Sequence, residues 1–252
     1  MADAQLFNDI YNYHGCVEKG KKDLWGEKRY QTLLERKDVG ALSVDAMKTL
    51  SVGKYQNKWC GMPLMKGAIE TTTYQLLLQE EKPVTIIELG TWQGTSAAWM
   101  ADLSKVFGQK AHVYSVDIDN GLLNEKARRD NVTFIQGDCM KIEEVFPDDM
   151  LKNLPHPWFI SEDAHVNVVG VLEHLLRFAQ PGDMICVEDT SPDGPDFPCY
   201  DTDDYRTFGH EKLNQLKDFL KRNAQKVKID RLYTDLFGYN GGLNWHGYMK
   251  VF

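Results

Sequence analysis

Positive charge is in short supply in this chain of 252 residues: 29 Lys and Arg stand against 37 Asp and Glu, a formal net charge of -8. Nucleic-acid binding needs a positive face, so no nucleic-acid partner is expected. The mild clusters Lys19-Gly20-Lys21-Lys22 and Lys221-Arg222 read as solvated helix faces or ends. Cysteine is sparse too: Cys16, Cys60, Cys139, Cys186 and Cys199 are scattered, with no Cys-x-x-Cys pair. Neither a zinc site nor a disulfide framework is expected, and reduced thiols fit a cytoplasmic setting. No apolar run approaches the roughly 20 residues that cross a bilayer. Met1 to Ile10 is polar and lacks the apolar region of a secretory signal, so no membrane partner is expected. Internal repeats and low-complexity stretches are absent as well.

What is present begins with Ile86-Ile87-Glu88-Leu89-Gly90-Thr91-Trp92-Gln93-Gly94-Thr95-Ser96. An apolar strand ends in an acid, runs into a glycine turn and opens a helix near Gly94 or Thr95. The turn is not a dinucleotide fingerprint, because three residues separate Gly90 from Gly94 and Trp92 is bulky. No Gly-Lys-Ser/Thr follows, so it is not a P-loop either. Glu-x-Gly-x-x-x-Gly is the pattern of a loop that wraps the methionine part of S-adenosylmethionine, with Gly90 turning tightly and Gly94 letting backbone approach a ligand. A second strand, Val113-Tyr114-Ser115-Val116-Asp117-Ile118-Asp119, ends in an acid near the offset at which such folds set a carboxylate on ribose hydroxyls. Asp117 is the candidate, with Asp119 beside it. Gly137-Asp138 follows the third strand, and Asp138 either accepts from an adenine amino group or starts the next loop.

Strands are expected at 84–89, 112–117, 132–136, 157–162 and 183–188, alternating with helices at 95–107, 121–129, 141–152 and 165–179. Such alternation predicts an α/β fold, a parallel sheet covered by helices on both faces. The tail differs. Val227 to Asp235 and Trp245 to Phe252 read as two antiparallel strands about the turn Gly238-Tyr239-Asn240-Gly241-Gly242. The whole predicts a Rossmann-like class I methyltransferase fold, seven strands with an antiparallel C-terminal strand. Residues 1–65 read as an N-terminal helical extension, with helices over Ala4 to Tyr13 and Trp25 to Arg36 and a third capped by Ser43. Residues 66–252 form the expected methyltransferase domain, led by a helix from Lys66 to Glu81. The long loop Thr190 to Tyr205 follows the fifth strand and reads as a lid or a solvated loop.

The fourth strand ends in Ile160-Ser161-Glu162-Asp163-Ala164-His165 and the fifth in Val187-Glu188-Asp189-Thr190. Both ends meet the carboxyl edge beside the glycine loop. Two carboxylates about 4 Å apart at an effective dielectric near 20 repel by about 4 kcal/mol, so either some are protonated or a cation lies among them. Singly, Glu162 or Asp163 reads as a helix cap and His165 as a backbone partner. Together with Glu188 and Asp189 they read as a site for Mg²⁺, Mn²⁺ or Ca²⁺. His165 is the candidate base for a metal-activated acceptor oxygen. The aromatics Trp92, Tyr200, Tyr205, Tyr239 and Trp245 would suit a ring or sugar face on the acceptor.

On these residues, over roughly 55–252, the chain resembles the metal-dependent methyltransferases of the cephalosporin hydroxylase and macrolide O-methyltransferase group. The shared stretches include Lys58-Trp59-Cys60-Gly61-Met62-Pro63, the glycine loop, Val187-Glu188-Asp189-Thr190 and Gly247-Tyr248-Met249-Lys250. The resemblance implies a metal held by a strand-end acid three residues before the histidine and by the Glu188-Asp189 pair, with His165 as base. Glu162 stands where that group usually has Asp, so Glu162 and Asp163 both remain candidates for the first ligand. The resemblance also implies a homo-oligomer, as is frequent in the group. The activity expected is Mg²⁺-dependent O-methylation of a small hydroxylated molecule by S-adenosylmethionine. N-methylation of a small amine, or a non-catalytic cofactor-binding partner of the same fold, are the alternatives.

Overall fold

The computed structural model describes residues 29–191 and 204–252. The helix expected at Ala4 to Tyr13 and residues 192–203 of the expected lid lie outside the described residues. The strands are β1 (Tyr30–Gln31), β2 (Lys58–Trp59), β3 (Met62–Pro63), β4 (Thr85–Leu89), β5 (His112–Asp117), β6 (Val132–Gln136), β7 (Trp158–Glu162), β8 (Met184–Val187), β9 (Val227–Asp230) and β10 (Tyr248–Val251). The helices are α1 (Val44–Lys54), α2 (Ala68–Glu81), α3 (Thr95–Val106), α4 (Ile142–Val145), α5 (Asp148–Leu151), α6 (Val168–Leu176), α7 (Asp204–Arg222) and α8 (Arg231–Thr234).

The main sheet runs β1-β9-β10-β8-β7-β4-β5-β6, and β2 and β3 form a separate hairpin. Strand β4 pairs parallel with β5 and β7, and β10 lies antiparallel between β8 and β9. The seven expected strands are there, and β1 adds an eighth beyond β9. From β4 the chain builds outward through β5 and β6, then returns to build the other half from β7. The crevice where strand order reverses lies beyond the carboxyl ends of β4 and β7, the place where open α/β sheets bind ligands.

Strand β4 is buried along its whole length, as a strand covered on both faces must be. Its alternate residues serve two cores. Ile87 and Leu89 pack with Phe146, Leu172 and Leu175, while Ile86 packs with Tyr74, Leu77, Trp99 and Met100.

Several elements depart from the sequence expectation, each for a local reason. Of the helix expected at 25–36, Tyr30 and Gln31 form β1 instead, Tyr30 opposite Asp230 and Gln31 opposite Ile229, and Leu33–Glu35 make a single 3₁₀ turn. The Arg29 guanidinium grips Asp230 at 2.7 and 2.9 Å, a tertiary contact that overrides helical spacing. The helix expected at 121–129 is two 3₁₀ turns, Asn120–Leu122 and Glu125–Ala127. There Asp119 accepts from the Gly121 amide and Asn124 from the Lys126 amide, so short polar side chains divert the backbone from α geometry. Pro147 divides the helix expected at 141–152 into α4 and α5. The strand expected at 227–235 stops at Asp230, whose carboxylate accepts from the Leu232 amide and starts α8. The two tail strands are antiparallel neighbours, yet α8 and a longer connection separate them where a short glycine turn was expected. Ser43 does cap α1, its Oγ accepting from the Ala46 amide at 3.2 Å.

Candidate functional site

The strand ends of β4, β5, β7 and β8 open on one cleft of about 480 Å³. Its glycine loop is shaped by steric necessity. Gly90 has φ 101°, and a Cβ there would lie 2.7 Å from the Asp163 carbonyl oxygen. Gly94 has φ 77°, and a Cβ there would meet Leu123 at 2.6 Å. The backbone clash makes Gly90 a position for glycine alone, and the positive φ favours glycine at Gly94. Trp92 sits between them at φ 46° and is 41% exposed at the mouth. The Trp92 amide donates to Asp117 Oδ2 at 2.7 Å, so the carboxylate ending β5 also ties down the loop ending β4.

Gly90, Trp92, Asp117 and Asp138 line the cleft. Asp138 also accepts from the Met140 amide, and Asp119, which caps the 3₁₀ turn after β5, is not among the lining residues. Glu88 does not line the cleft either. It is buried beneath the loop, where Ser115 Oγ donates to it at 2.5 Å and Ser115 in turn meets Thr91 Oγ at 2.6 Å. Burial pushes its carboxyl up to about 7, against the hydrogen bonds of Ser115 and Ser96. Thr95, the first residue of α3, is buried, and its hydroxyl has no hydrogen-bond partner among the described residues.

At the other end, Asp163, His165 and Asp189 each offer a ligand atom, all within 4.8 Å of one another. His165 Nε2 lies 3.6 Å from Asp163 Oδ1. That Oδ1 is buried and has no hydrogen-bond partner among the described residues. Two carboxylates beside a neutral imidazole, one of them with a buried oxygen that no hydrogen bond satisfies, fit a divalent cation. Burial, with Glu188 close by, holds the Asp163 carboxyl well above its usual range. Burial also raises Asp189, but the Lys54 and Lys212 ammonium groups outweigh it and hold that carboxyl low. Burial and Lys212 push His165 down to about 4, so the imidazole is neutral near pH 7. His165 and Asp189 share left-handed backbone with Trp92, at φ 57° and 54°. Residues held in such conformations concentrate at functional sites.

The two glutamates face inward to lysines. Lys66 Nζ contacts both Glu188 oxygens at 2.6 and 2.7 Å, and Tyr74 and Ser161 hydroxyls reach Glu188 Oε1 at 2.5 and 3.0 Å. Lys212 Nζ lies 3.0 Å from Glu162 Oε2 and 3.4 Å from His165 Nδ1. Glu162 Oε1 accepts from the Ala164 amide at 3.1 Å. Both lysines stay charged, because their carboxylate neighbours outweigh the cost of burial. Sequence reading missed them. Lys212 sits in α7, where no element was expected, and Lys66, expected to open a helix, precedes one that begins at Ala68. Of the aromatics expected near an acceptor, Trp92 lines the cleft, joined by Tyr55, whereas Tyr239 and Trp245 do not. Tyr200 and the side chain of Tyr205 lie outside what the structure describes.

Residues 52–250 match the family model described as Rhamnosyl O-methyltransferase/CmcI. A rhamnosyl O-methyltransferase from Mycobacterium leprae (strain TN) is 30% identical over 141 residues, 54% of this chain and 61% of that protein. Rhamnosyl O-methyltransferase of Mycobacterium tuberculosis (strain ATCC 25618 / H37Rv) is equally similar, over 58% of its length. The chain thus spans about 60% of the curated relatives it matches. Among solved structures, CmcI with Mg and SAM superposes with TM-score 0.63 at 24% identity, covering 92% of this chain and 94% of that one. The O-methyltransferase TomG from Streptomyces achromogenes, in complex with SAM, gives 0.50 at 13% identity over 83% and 97%. These two likenesses speak for the fold, that of the class I methyltransferases. With a family model that matches from within α1 into β10, the chain belongs to the Rhamnosyl O-methyltransferase/CmcI family.

Proposed function

We propose that the chain transfers a methyl group from S-adenosylmethionine to a hydroxyl of a small molecule, a natural product, sugar or phenol-like acceptor, with the help of Mg²⁺ or another divalent cation. One observation carries this reading: a single cleft joins the Gly90 loop and Asp117 to Asp163, His165 and Asp189. Gly90, Thr91, Trp92, Gly94, Thr95 and Ser96 shape the methionine end, with Glu88 ordering them from below. Asp117 takes the ribose hydroxyls, Asp119 holds the turn beside it, and Asp138 lies toward the adenine. A cation bound among the acids would lower the pKa of the acceptor hydroxyl. Asp163 and Asp189 are its ligands, with Glu188 and Glu162 behind them, and His165, neutral and at the cleft wall, takes the acceptor proton. Tyr55, Met65 and Trp92 offer apolar surface that orients the acceptor and excludes water.

The same reading includes a cytoplasmic homo-oligomer, with residues 1–65 as an extension to a transferase domain at 66–252. Among the described residues no helix is long and apolar enough to cross a membrane. The test is calorimetric titration with S-adenosylhomocysteine, with and without Mg²⁺, followed by a hydroxylated acceptor panel. Micromolar binding and chelator-sensitive methylation support the proposal. Absence of binding under both conditions sinks it, and chelator-insensitive transfer to amines replaces it with N-methylation.

A further inference from the structure

The cleft's metal end rests on a loop held by residues outside the family match. Asp189 stands at φ 54°, and its amide donates to Asn244 Oδ1 at 3.0 Å. Around it the 243–247 segment tracks the end of β8: Ser191 N to Leu243 O at 2.8 Å, Thr190 Oγ1 to Trp245 O at 2.7 Å, and Val187 N to Gly247 O at 2.9 Å. The approach is so close that a Cβ on Gly247 would lie 2.3 Å from the Val187 carbonyl oxygen.

That segment is itself irregular, with Asn240 at φ 47° and His246 at φ 57°. What organises it is Arg36. The buried guanidinium meets both oxygens of Asp235 at 2.6 and 2.7 Å and donates to Asn240 Oδ1 at 2.8 Å. It also lies 4.1 Å above the Tyr239 ring, and its Nε is 3.4 Å from His246 Nδ1. The other imidazole nitrogen faces Asp38 at 3.1 Å. Asn240 Nδ2 donates to the Val39 carbonyl at 2.9 Å, and the Ala41 amide to the Tyr239 carbonyl at 2.7 Å. Arg36, Asp235, Asn240 and His246 thus form one buried polar cluster, hydrogen-bonded on its outer side to the exposed residues 37–41, and the matched family segment starts only at residue 52.

We propose that residues 36–41 brace the metal end of the cleft: Arg36 fixes the 235–246 loop, and through it Asn244 holds Asp189 in the backbone conformation that turns its carboxylate toward Asp163 and His165. Arg36 and Asn244 are positioning residues; neither lines the cleft. The inference rests on the reading of Asp189 as a metal ligand. Outer partners that orient a ligand typically change metal affinity by about 10- to 100-fold when removed. A residue that merely supports the fold would lower stability, or weaken all ligands together.

Mn²⁺ binding is measured by electron paramagnetic resonance on the full chain, with S-adenosylhomocysteine affinity and Tm in parallel. Asn244→Ala and Arg36→Met should each weaken Mn²⁺ about tenfold or more and leave S-adenosylhomocysteine within about twofold. Leu172→Ala, a core cavity remote from the brace, should lower Tm and leave both affinities alone. Native-state hydrogen exchange supplies a reading independent of metal: the Asp189 amide should exchange faster in Arg36→Met relative to the amides of β8. The brace is overturned if Mn²⁺ affinity is unchanged in Asn244→Ala, if both ligands weaken in parallel, or if Asp189 exchange follows β8. Should Arg36→Met fail to fold, Asn244→Ala and the milder Asp38→Asn decide. A wild-type chain that binds no Mn²⁺ sinks the metal reading, and Asp189 exchange then decides the brace alone.

Discussion

Asp117 does two jobs at one position. It lines the cleft and accepts the Trp92 amide, so its loss removes a ligand contact and loosens the loop that frames the ligand. Asp117→Ala is expected to weaken S-adenosylhomocysteine at least about tenfold, since a charge-assisted hydrogen bond is worth about 1.5–3 kcal/mol, and to leave Mn²⁺ affinity near wild type. Equal loss of both would refute the division of the cleft into a cofactor end and a metal end. Gly90→Ala tests the loop itself. At φ 101° and with 2.7 Å to the Asp163 carbonyl, alanine meets both backbone strain and a clash, and a destabilisation of about 2 kcal/mol or more is expected in urea unfolding.

Glu88 gives a pH prediction of definite sign. Its folded-state pKa is raised to about 7 from 4.5, so between those values the folded chain holds a proton that the unfolded chain has released. Stability from this group is complete below about 4.5 and is lost as pH rises through about 7. His165, lowered to about 4, contributes the opposite slope, lost as pH falls. The comparison must therefore be differential. Subtracting the Glu88→Gln profile from wild type should leave a stability difference that declines from pH 4.5 to 7, and a flat difference would show that Glu88 is not held protonated.

At the scale of elements, the parallel strands and their helices were legible because their apolar runs were bounded by turn residues and alternated regularly. Asp117, Asp163 and Asp189 could be found because each closes such a run. Elements whose form depends on partners far along the chain were not legible. Nothing near Tyr30 announces Asp230 as its neighbour, and the Asx turns of Asp119 and Asn124 undo a helix that periodicity alone favours. Lys66 and Lys212 escaped for the same reason: a buried lysine is recognised by the carboxylate it meets, 122 residues away from Lys66 in the case of Glu188. Helix α6 makes a clean test of the packing account. Leu172 is fully buried between α6 and the sheet, so Leu172→Ala should cost about 2–5 kcal/mol without altering ligand affinity.

For the molecule as a whole, the two ends of the cleft belong to different halves of the sheet, the loops after β4 and β5 on one side and those after β7 and β8 on the other. A ligand spanning both binds the folded state and not the unfolded chain. S-adenosylhomocysteine at about 100 times its Kd should add about 2.7 kcal/mol of stability, and Mg²⁺ should add a further increment read as a second rise in Tm. A Tm indifferent to both would leave the cleft without the ligands proposed for it.

Trp92, His165 and Asp189 all occupy backbone territory that glycine enters freely and that costs other residues about 1–2 kcal/mol. Selection for endurance alone would drift toward glycine at these three positions. Variants screened for heat resistance without a binding screen would therefore gather substitutions at the cleft, and Trp92→Gly is the first expected: no less stable than the parent, and poorer at holding a ligand.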